Sequence, residues 1–276
     1  MSASSAHDMA AVSVIICSID ARKFAQASAS YDRALAAVAH EIVGIHDARS
    51  LAEGYNRGID RARGDVLIFS HDDVEILSPD FAERVKAHLE TYDLIGIAGT
   101  TRLVGGAWYF GGHPFDFMLY VAPHPDSGKP VMIIGGGGGS LVVAGAQTID
   151  GVFMAARADV ARALRFDDAT FDDFHLYDLD FSFRAFLAGH RLAVRRDIVL
   201  VHYSQGAYDA KWDEQRLRFE RKFAGRLAAP LAHRRMPVTN VPLDHDLIAD
   251  PAELARLCRP ETLARFVASV DKMIAA

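Results

Sequence analysis

The strongest constraint on this chain is an alternation near its start. Val12 to Ile19, reading VSVIICSI, is a short unbroken apolar run rich in β-branched residues, the pattern of a strand covered on both faces. An Ala-rich stretch with apolar residues at helical spacing follows from Phe24 to Ala39, and Glu41 to Ile45, EIVGI, reads as a second buried strand. Ser50 is placed to cap a further helix, with Glu53 at capping-box spacing and Gly64 as the stop after Arg63. Asp65 to Phe69, DVLIF, is the third strand. This alternation dictates an α/β fold, a mainly parallel central sheet flanked by helices, whose ligands bind beyond the carboxyl ends of the strands.

Further on, Pro79 to Thr91 is expected to be helical and Leu94 to Ala98 to be the fourth strand. From Gly99 to Gly145 the chain is rich in Gly, aromatics and Pro without a long helical period, which predicts hairpins and a mobile loop inserted at about residues 99–148. Val152 to Ala155 returns to strand, Arg157 to Leu164 and Asp178 to Ala188 to helix, and Leu192 to Val194 and Ile198 to Val201 to late strands. Beyond residue 225 the chain is Pro-punctuated and ends in two amphipathic stretches, Asp250 to Leu257 and Glu261 to Ile274. The reading is therefore one α/β domain over 1–225 and a helical appendage over 226–276, which could cover the site or support a homo-oligomer.

Composition narrows the partners. Lys+Arg number 30 and Asp+Glu 36, a net charge of −6, and the basic residues are scattered. Nucleic acid is not expected, because binding a phosphate backbone needs a basic stripe. The two cysteines, Cys17 and Cys258, are far apart and have no partner at zinc spacing, which argues against a disulfide scaffold. The first residues, MSASSAHDMAA, lack a basic and an apolar leader region, and no apolar run approaches the ~18 residues that span a bilayer. The expectation is a cytoplasmic protein without a transmembrane segment.

Three clusters could carry chemistry. After the third strand comes Ser70-His71-Asp72-Asp73-Val74-Glu75. Carboxylates crowded at a strand end repel one another unless a cation is bound, so Mg²⁺ or Mn²⁺ is the economical explanation; a solvated loop capping the next helix is the structural alternative. The second cluster, His175 to Phe181, places Asp178 and Asp180 at a helix start, where the macrodipole favours a carboxylate able to accept a proton, or where either could serve as an N-cap. The third is His202, after the last strand. The glycine run Gly135 to Gly139 fails as a dinucleotide fingerprint, since Ser140 stands where glycine is needed and LVVAG follows, and it fails as a P-loop; it reads as a flap.

In the order VSVIICS, GYNRGIDRARGDVLIFSHDDV, IDGVFMAAR, FDDFHLYDLDFSFRAFLAGHRLAV and VHYS, residues 12 to 205 resemble the family 2-like glycosyltransferases with the GT-A fold, in the branch with a His-x-Asp metal motif and a His-x-Tyr-Asp-x-Asp-Phe motif. The resemblance implies an inverting, metal-dependent transfer of a hexosyl or N-acetylhexosaminyl group from a UDP- or GDP-sugar. The acceptor would be a hydroxyl of a glycan, a lipid-linked molecule or a small molecule. It makes Asp73 and His202 metal ligands, with Mn²⁺ or Mg²⁺ as cofactor, and sets His71 where an aspartate usually stands. Cys17, Ser18, Ile19, Asp47, Asn56, His71, Asp72, Asp150 and Gly151 would border the nucleotide and donor sugar. Tyr55 replaces a basic residue before Asn56, so neutralisation of the diphosphate would rely more on the metal or on another cation. Asp178 would be the general base, with Tyr177 in place of the family's glutamate and Asp180 as the second candidate. Trp108 and Tyr109, with Phe110, Phe115 and Phe117 near them, and His175 would face the acceptor. The departures at His71, Tyr55 and Tyr177 motivate a second reading, a degenerate domain that binds nucleotide sugar or glycan without transfer. A nucleotidyltransferase would need a Gly-rich basic loop after the first strand, which is absent.

Overall fold

The computed structural model describes residues 11–204, 206, 208–231, 235–244 and 248–275; residues 1–10, inspected above for a leader, lie outside them. Strands β1 (Val12–Cys17), β2 (His40–Ile45) and β3 (Val66–Ser70) lie in parallel with β1 in the middle, joined by helices α1 (Ala21–Ala34) and α2 (Leu51–Arg61). Helix α1 starts before the apolar spacing shows, because Asp20 accepts the N–H groups of Arg22 and Lys23. Helix α2 starts at the expected cap: Ser50 accepts from the Glu53 N–H, and the Glu53 carboxylate reaches back to the Arg49 N–H.

The chain continues through β4 (Val74–Ile76), α3 (Phe81–Leu89), β5 (Leu94–Gly96) and β6 (Ala98–Thr100). The single strand expected over Leu94 to Ala98 is thus divided. At Ile97 the chain leaves one sheet and enters another. Two glycines flank the crossing: a Cβ on Gly96 would lie 2.0 Å from Ile149 Cγ2, and one on Gly99 2.2 Å from the Thr148 carbonyl oxygen. Only bare backbone lets β10 (Thr148–Ile149) pass so closely.

The expected insert contains a hairpin of β7 (Asp116–Pro123) and β8 (Pro130–Gly135), followed by β9 (Val142–Ala144) and β10. Then come β11 (Phe153–Arg157), α4 (Ala158–Leu164), α5 (Tyr177–Leu187), β12 (Leu192–Arg195), β13 (Leu200–His202) and α6 (Ala210–Lys222). The first sheet has the order β2-β1-β3-β11-β5-β12-β9; β11 and β9 run against the other strands, so the mainly parallel α/β architecture is present. The second has the order β10-β6-β7-β13-β4, with β8 on the other edge of β7. The isolated Val74-Glu75 of the acidic cluster belongs to this sheet, paired with β13.

The segment after residue 225, expected to be a helical appendage, also supplies a strand. β14 (Val238–Pro242) pairs with β8, and α7 (Pro251–Leu257) and α8 (Pro260–Ala275) follow. Leu257, Leu263, Val267 and Val270 are buried against Leu119, Met132 and Ile134 of the hairpin. Each such side chain contributes about 1.5–3 kcal/mol of hydrophobic free energy. The segment is therefore built onto the second sheet.

The five-glycine run has a different role from the expected flap. Arg196 is fully buried, and its guanidinium donates to the carbonyls of Gly136 at 2.9 Å, Gly137 at 3.3 Å and Ser140 at 2.9 Å, with the Phe117 ring 5.3 Å away. Gly136 and Gly138 adopt φ of +78° and +87°, which turns those carbonyls onto the cation. Gly138 N–H is held in turn by Asp271 of α8 at 2.7 Å. Burial lowers the Arg196 pKa to about 10, the Asp271 charge acting against it. The loop is a cage for a buried charge.

Candidate active site

A cavity of about 440 Å³ opens beyond the ends of β1 and β3. It brings together Cys17, Ser18, Ile19, His71, Asp72, Asp73, Asp150 and Asp178, with Trp108, Tyr109 and His175 on its far wall. The chain order of these residues is scattered, but their positions share one cause. Parallel strands deliver their carboxyl ends to one edge of the sheet, and β11 returns Asp150 and Gly151 to the same edge because it runs the other way.

Asp73 follows β3. Its Oδ1 is buried and has no hydrogen-bond partner among the described residues, while His202 Nε2 stands 3.5 Å and His71 Nδ1 4.0 Å from it. Burial raises the Asp73 pKa, but a hydrogen bond from Ser204 and the charges of His202, His71 and Lys23 bring it below the ordinary value. Burial, then the neighbouring His71, lowers the His202 pKa and so favours the neutral imidazole that can ligate a metal. The ligand atoms of His71, Asp73 and His202 all lie within 4.8 Å of one another. An unpartnered buried oxygen between two imidazoles fits a divalent cation.

Asp72 turns the other way and accepts the Ser18 hydroxyl at 2.6 Å. Asp178 lies in the first turn of α5, which opens with Leu176 in the left-handed region at φ 60° and has no side-chain cap. Neither aspartate of that turn is therefore the N-cap. Asp178 Oδ2 accepts the Gly151 N–H at 2.7 Å. A Cβ on Gly151 would fall 2.2 Å from the Tyr177 hydroxyl, so glycine here is required for packing behind the cavity rather than for lining it. Burial, then the charge of Asp150, raises the Asp178 pKa to about 7, against N–H groups donated by Leu179 and Gly151. Asp150 is itself anchored, Oδ2 accepting the Trp108 indole N–H at 2.7 Å and Oδ1 the Val152 N–H at 2.9 Å.

Three sequence-nominated residues stand elsewhere. Asp180 is fully buried and paired with Arg184, 2.7 Å away, and with Lys222, so it has no access to the cavity and is set aside as a base. Asn56 commits both ends of its amide to the Phe166 backbone, each at 2.9 Å, and fastens α2 to the segment after α4. Asp47 is largely exposed and paired with Arg57. Of the aromatic insert, Trp108 and Tyr109 reach the cavity. Phe115 lies beneath Arg102 and Phe117 beneath Arg196.

Several lining residues had no motif to announce them. Lys23, in the first turn of α1, lines the cavity with Asp72 and Asp73, and its charge acts on Asp73. Phe174, Tyr208 and Trp212 extend the aromatic wall, with Tyr208 against both Trp212 and Tyr109 in edge-on contacts at 5.2 and 6.1 Å. Cys17 also lines the cavity, but burial, then the charge of Glu53, pushes its thiol up to about 12, outside nucleophilic range.

The sheet edge thus carries a His-Asp-His cluster and, in the adjoining cavity, a carboxyl group whose pKa is raised to about 7. The chain belongs to the glycosyltransferase-like family, whose model matches residues 13–223, and it is a glycosyltransferase. No curated protein sequence matches it. Among solved structures it is similar to the mannosyltransferase PcManGT of Pyrobaculum calidifontis in complex with GDP-Man and Mn²⁺, at 12% identity over 97% of this chain and 74% of that one, TM-score 0.49. GalNAc-T7 with UDP, GalNAc and Mn²⁺ is similar at 11% identity over 78% of this chain and 48% of that one, TM-score 0.47. TarS (1–349) of S. aureus is similar at 12% identity over 78% and 72%, TM-score 0.43. Among the described residues, no helix is long and apolar enough to cross a membrane.

Proposed function

We propose that this protein is a metal-dependent, inverting glycosyltransferase that moves a sugar from a UDP- or GDP-sugar to an acceptor hydroxyl. The observation that carries the reading is the buried, unpartnered Asp73 Oδ1 between His71 and His202, in a cavity that also holds Asp178. His71, Asp73 and His202 would hold a divalent cation, Mn²⁺ or Mg²⁺, which would supply positive charge against the departing diphosphate.

The remaining chemistry belongs to the chain. Cys17 to Ile19 and Asp72 border the nucleotide, and Lys23 is the cation that Tyr55 does not provide. Asp178 accepts the proton of the acceptor hydroxyl. The acceptor oxygen bonds to the anomeric carbon as the bond from that carbon to the diphosphate oxygen breaks, and the diphosphate leaves with the electron pair. A base poised near neutrality suits this direct displacement, and general-base help of this kind is worth roughly 10²–10⁴-fold. Asp150 supports it in two ways: its charge keeps Asp178 basic, and its carboxylate fixes Trp108. Both Asp150 oxygens accept N–H groups, which disfavours a nucleophilic role and with it a retaining route. The aromatic wall of Trp108, Tyr109, Tyr208 and Trp212 offers ring faces for an acceptor sugar.

Isothermal titration with UDP and GDP, with and without Mn²⁺, tests this. Binding of at least one nucleotide, strengthened by the metal, is expected; failure of both to bind in Mn²⁺ would sink it. Slow hydrolysis of the donor separates an enzyme from a binding module, which would leave the donor intact.

A further inference from the structure

His71 meets the Tyr177 hydroxyl through Nε2 at 3.1 Å, and its Nδ1 faces Asp73. A neutral imidazole carries one proton, and the hydrogen bonds decide which nitrogen holds it. The chain of donors starts at Tyr55. This fully buried phenol lies 3.1 Å from the Ser70 carbonyl oxygen, which can only accept, so Tyr55 donates there. The Tyr55 oxygen is left as an acceptor, and Tyr177, its ring 5.5 Å from the Tyr55 ring, is the phenol placed to donate to it. With its proton directed to Tyr55, Tyr177 can only accept from His71. The imidazole proton therefore sits on Nε2 and Nδ1 is bare. The opposite assignment aims an Nδ1–H at an oxygen 4.0 Å away, beyond hydrogen-bond reach, and deprives Tyr55 of its donor. Burial raises the pKa of both phenols well above the ordinary value, so both stay protonated.

We propose that Tyr177 and Tyr55 are positioning residues: a relay from the Ser70 carbonyl through two hydroxyls selects the His71 tautomer whose Nδ1 is free to ligate a divalent cation beside Asp73 and His202. The inference rests on the metal-dependent reading above. It gives one account of three departures noted in the sequence. The histidine in the metal motif needs a neighbour that fixes its tautomer, and two neutral phenols do this without placing a further charge in a buried position. Gly151 belongs to the same device, since any side chain there would displace the Tyr177 hydroxyl.

The test has two arms. Long-range ¹H–¹⁵N spectra of the metal-free protein, with the His71 signals assigned from a His71→Ala variant, should show protonated Nε2 and bare Nδ1 in the wild type. Mixed tautomers are expected in Tyr177→Phe. Calorimetric Mn²⁺ binding should weaken by about 10–100-fold in Tyr177→Phe and in Tyr55→Phe, the usual cost of losing an outer-shell partner. Tyr177→Phe added to His71→Ala should cost nothing more. A wild type with Nδ1 protonated, or both tyrosine variants binding Mn²⁺ as the wild type does, would overturn the relay. Tyr55→Phe, altered only at the far end, serves if Tyr177→Phe does not fold. A wild type that binds no Mn²⁺ defeats the metal-dependent reading instead, and the spectrum then decides the relay by itself.

Discussion

Asp73 and Asp197 are buried to nearly the same degree, with side chains 8% and 11% exposed, yet their surroundings are opposite. Asp197, just after β12, accepts from Arg195 at 3.1 and 2.8 Å and from His88 at 3.0 Å. Burial opposes the charge, but His88 and Arg195 hold its carboxyl far below the usual carboxylate range. Next to it, Arg196 is satisfied entirely by backbone carbonyls. Around Asp73 the histidines face the carboxylate without completing hydrogen bonds, and one oxygen is left over. A closed cluster holds the fold together; an open one at the end of a strand is ready for something the chain does not contain.

That contrast can be broken or sharpened by substitution. The largest effect is expected at Asp178→Asn, which should retain Mn²⁺ and nucleotide binding but lower the transfer rate by roughly 10²–10⁴-fold in single-turnover assays; unchanged turnover would move the base elsewhere. In the closed cluster, Asp197→Asn should leave Arg195 buried and unpaired and lower unfolding free energy by about 3–5 kcal/mol, measured by denaturant titration, with the folded fraction still binding nucleotide. In the open cluster the pattern reverses: Asp73→Asn should weaken Mn²⁺ affinity by about 100-fold or more while the melting temperature changes little, because no closed hydrogen-bonded ion pair is broken. The smallest effect concerns pH. The Asp178 pKa is raised from 3.8 to about 7, so its deprotonated, basic form is lost as pH falls through that value, and the wild-type rate should follow. Stability runs the other way. The contribution of this group is fully present below its unfolded value of about 4 and is lost as pH rises through about 7, a dependence that Asp178→Asn should abolish.

The same contrast shows what was legible in the sequence. The β-α-β-α-β start, the Ser50 cap and the strand-end position of Asp73 are local patterns and could be read from spacing alone. The motif ranks Asp178 above Asp180 without excluding the second, and helical geometry separates them: two residues apart is about 200° of rotation, so they face opposite sides of α5. Arg184, four residues beyond Asp180, marked the paired side and was a usable signal. The Asn56–Phe166 latch and the Arg196 cage join residues about 60 to 110 positions apart, and no local pattern encodes them. Lys23 and the Tyr208–Trp212 wall reach the cavity through tertiary placement in the same way.

The crossing at Ile97 has a mechanical consequence. One continuous segment supplies β5 near the middle of the first sheet and β6 beside the hairpin of the second, with no loop between them to absorb motion. Opening of the hairpin sheet must pull on the sheet that carries His71 and Asp73. The slowest-exchanging amides of both sheets should therefore open together, with a shared free energy, rather than as two separable units.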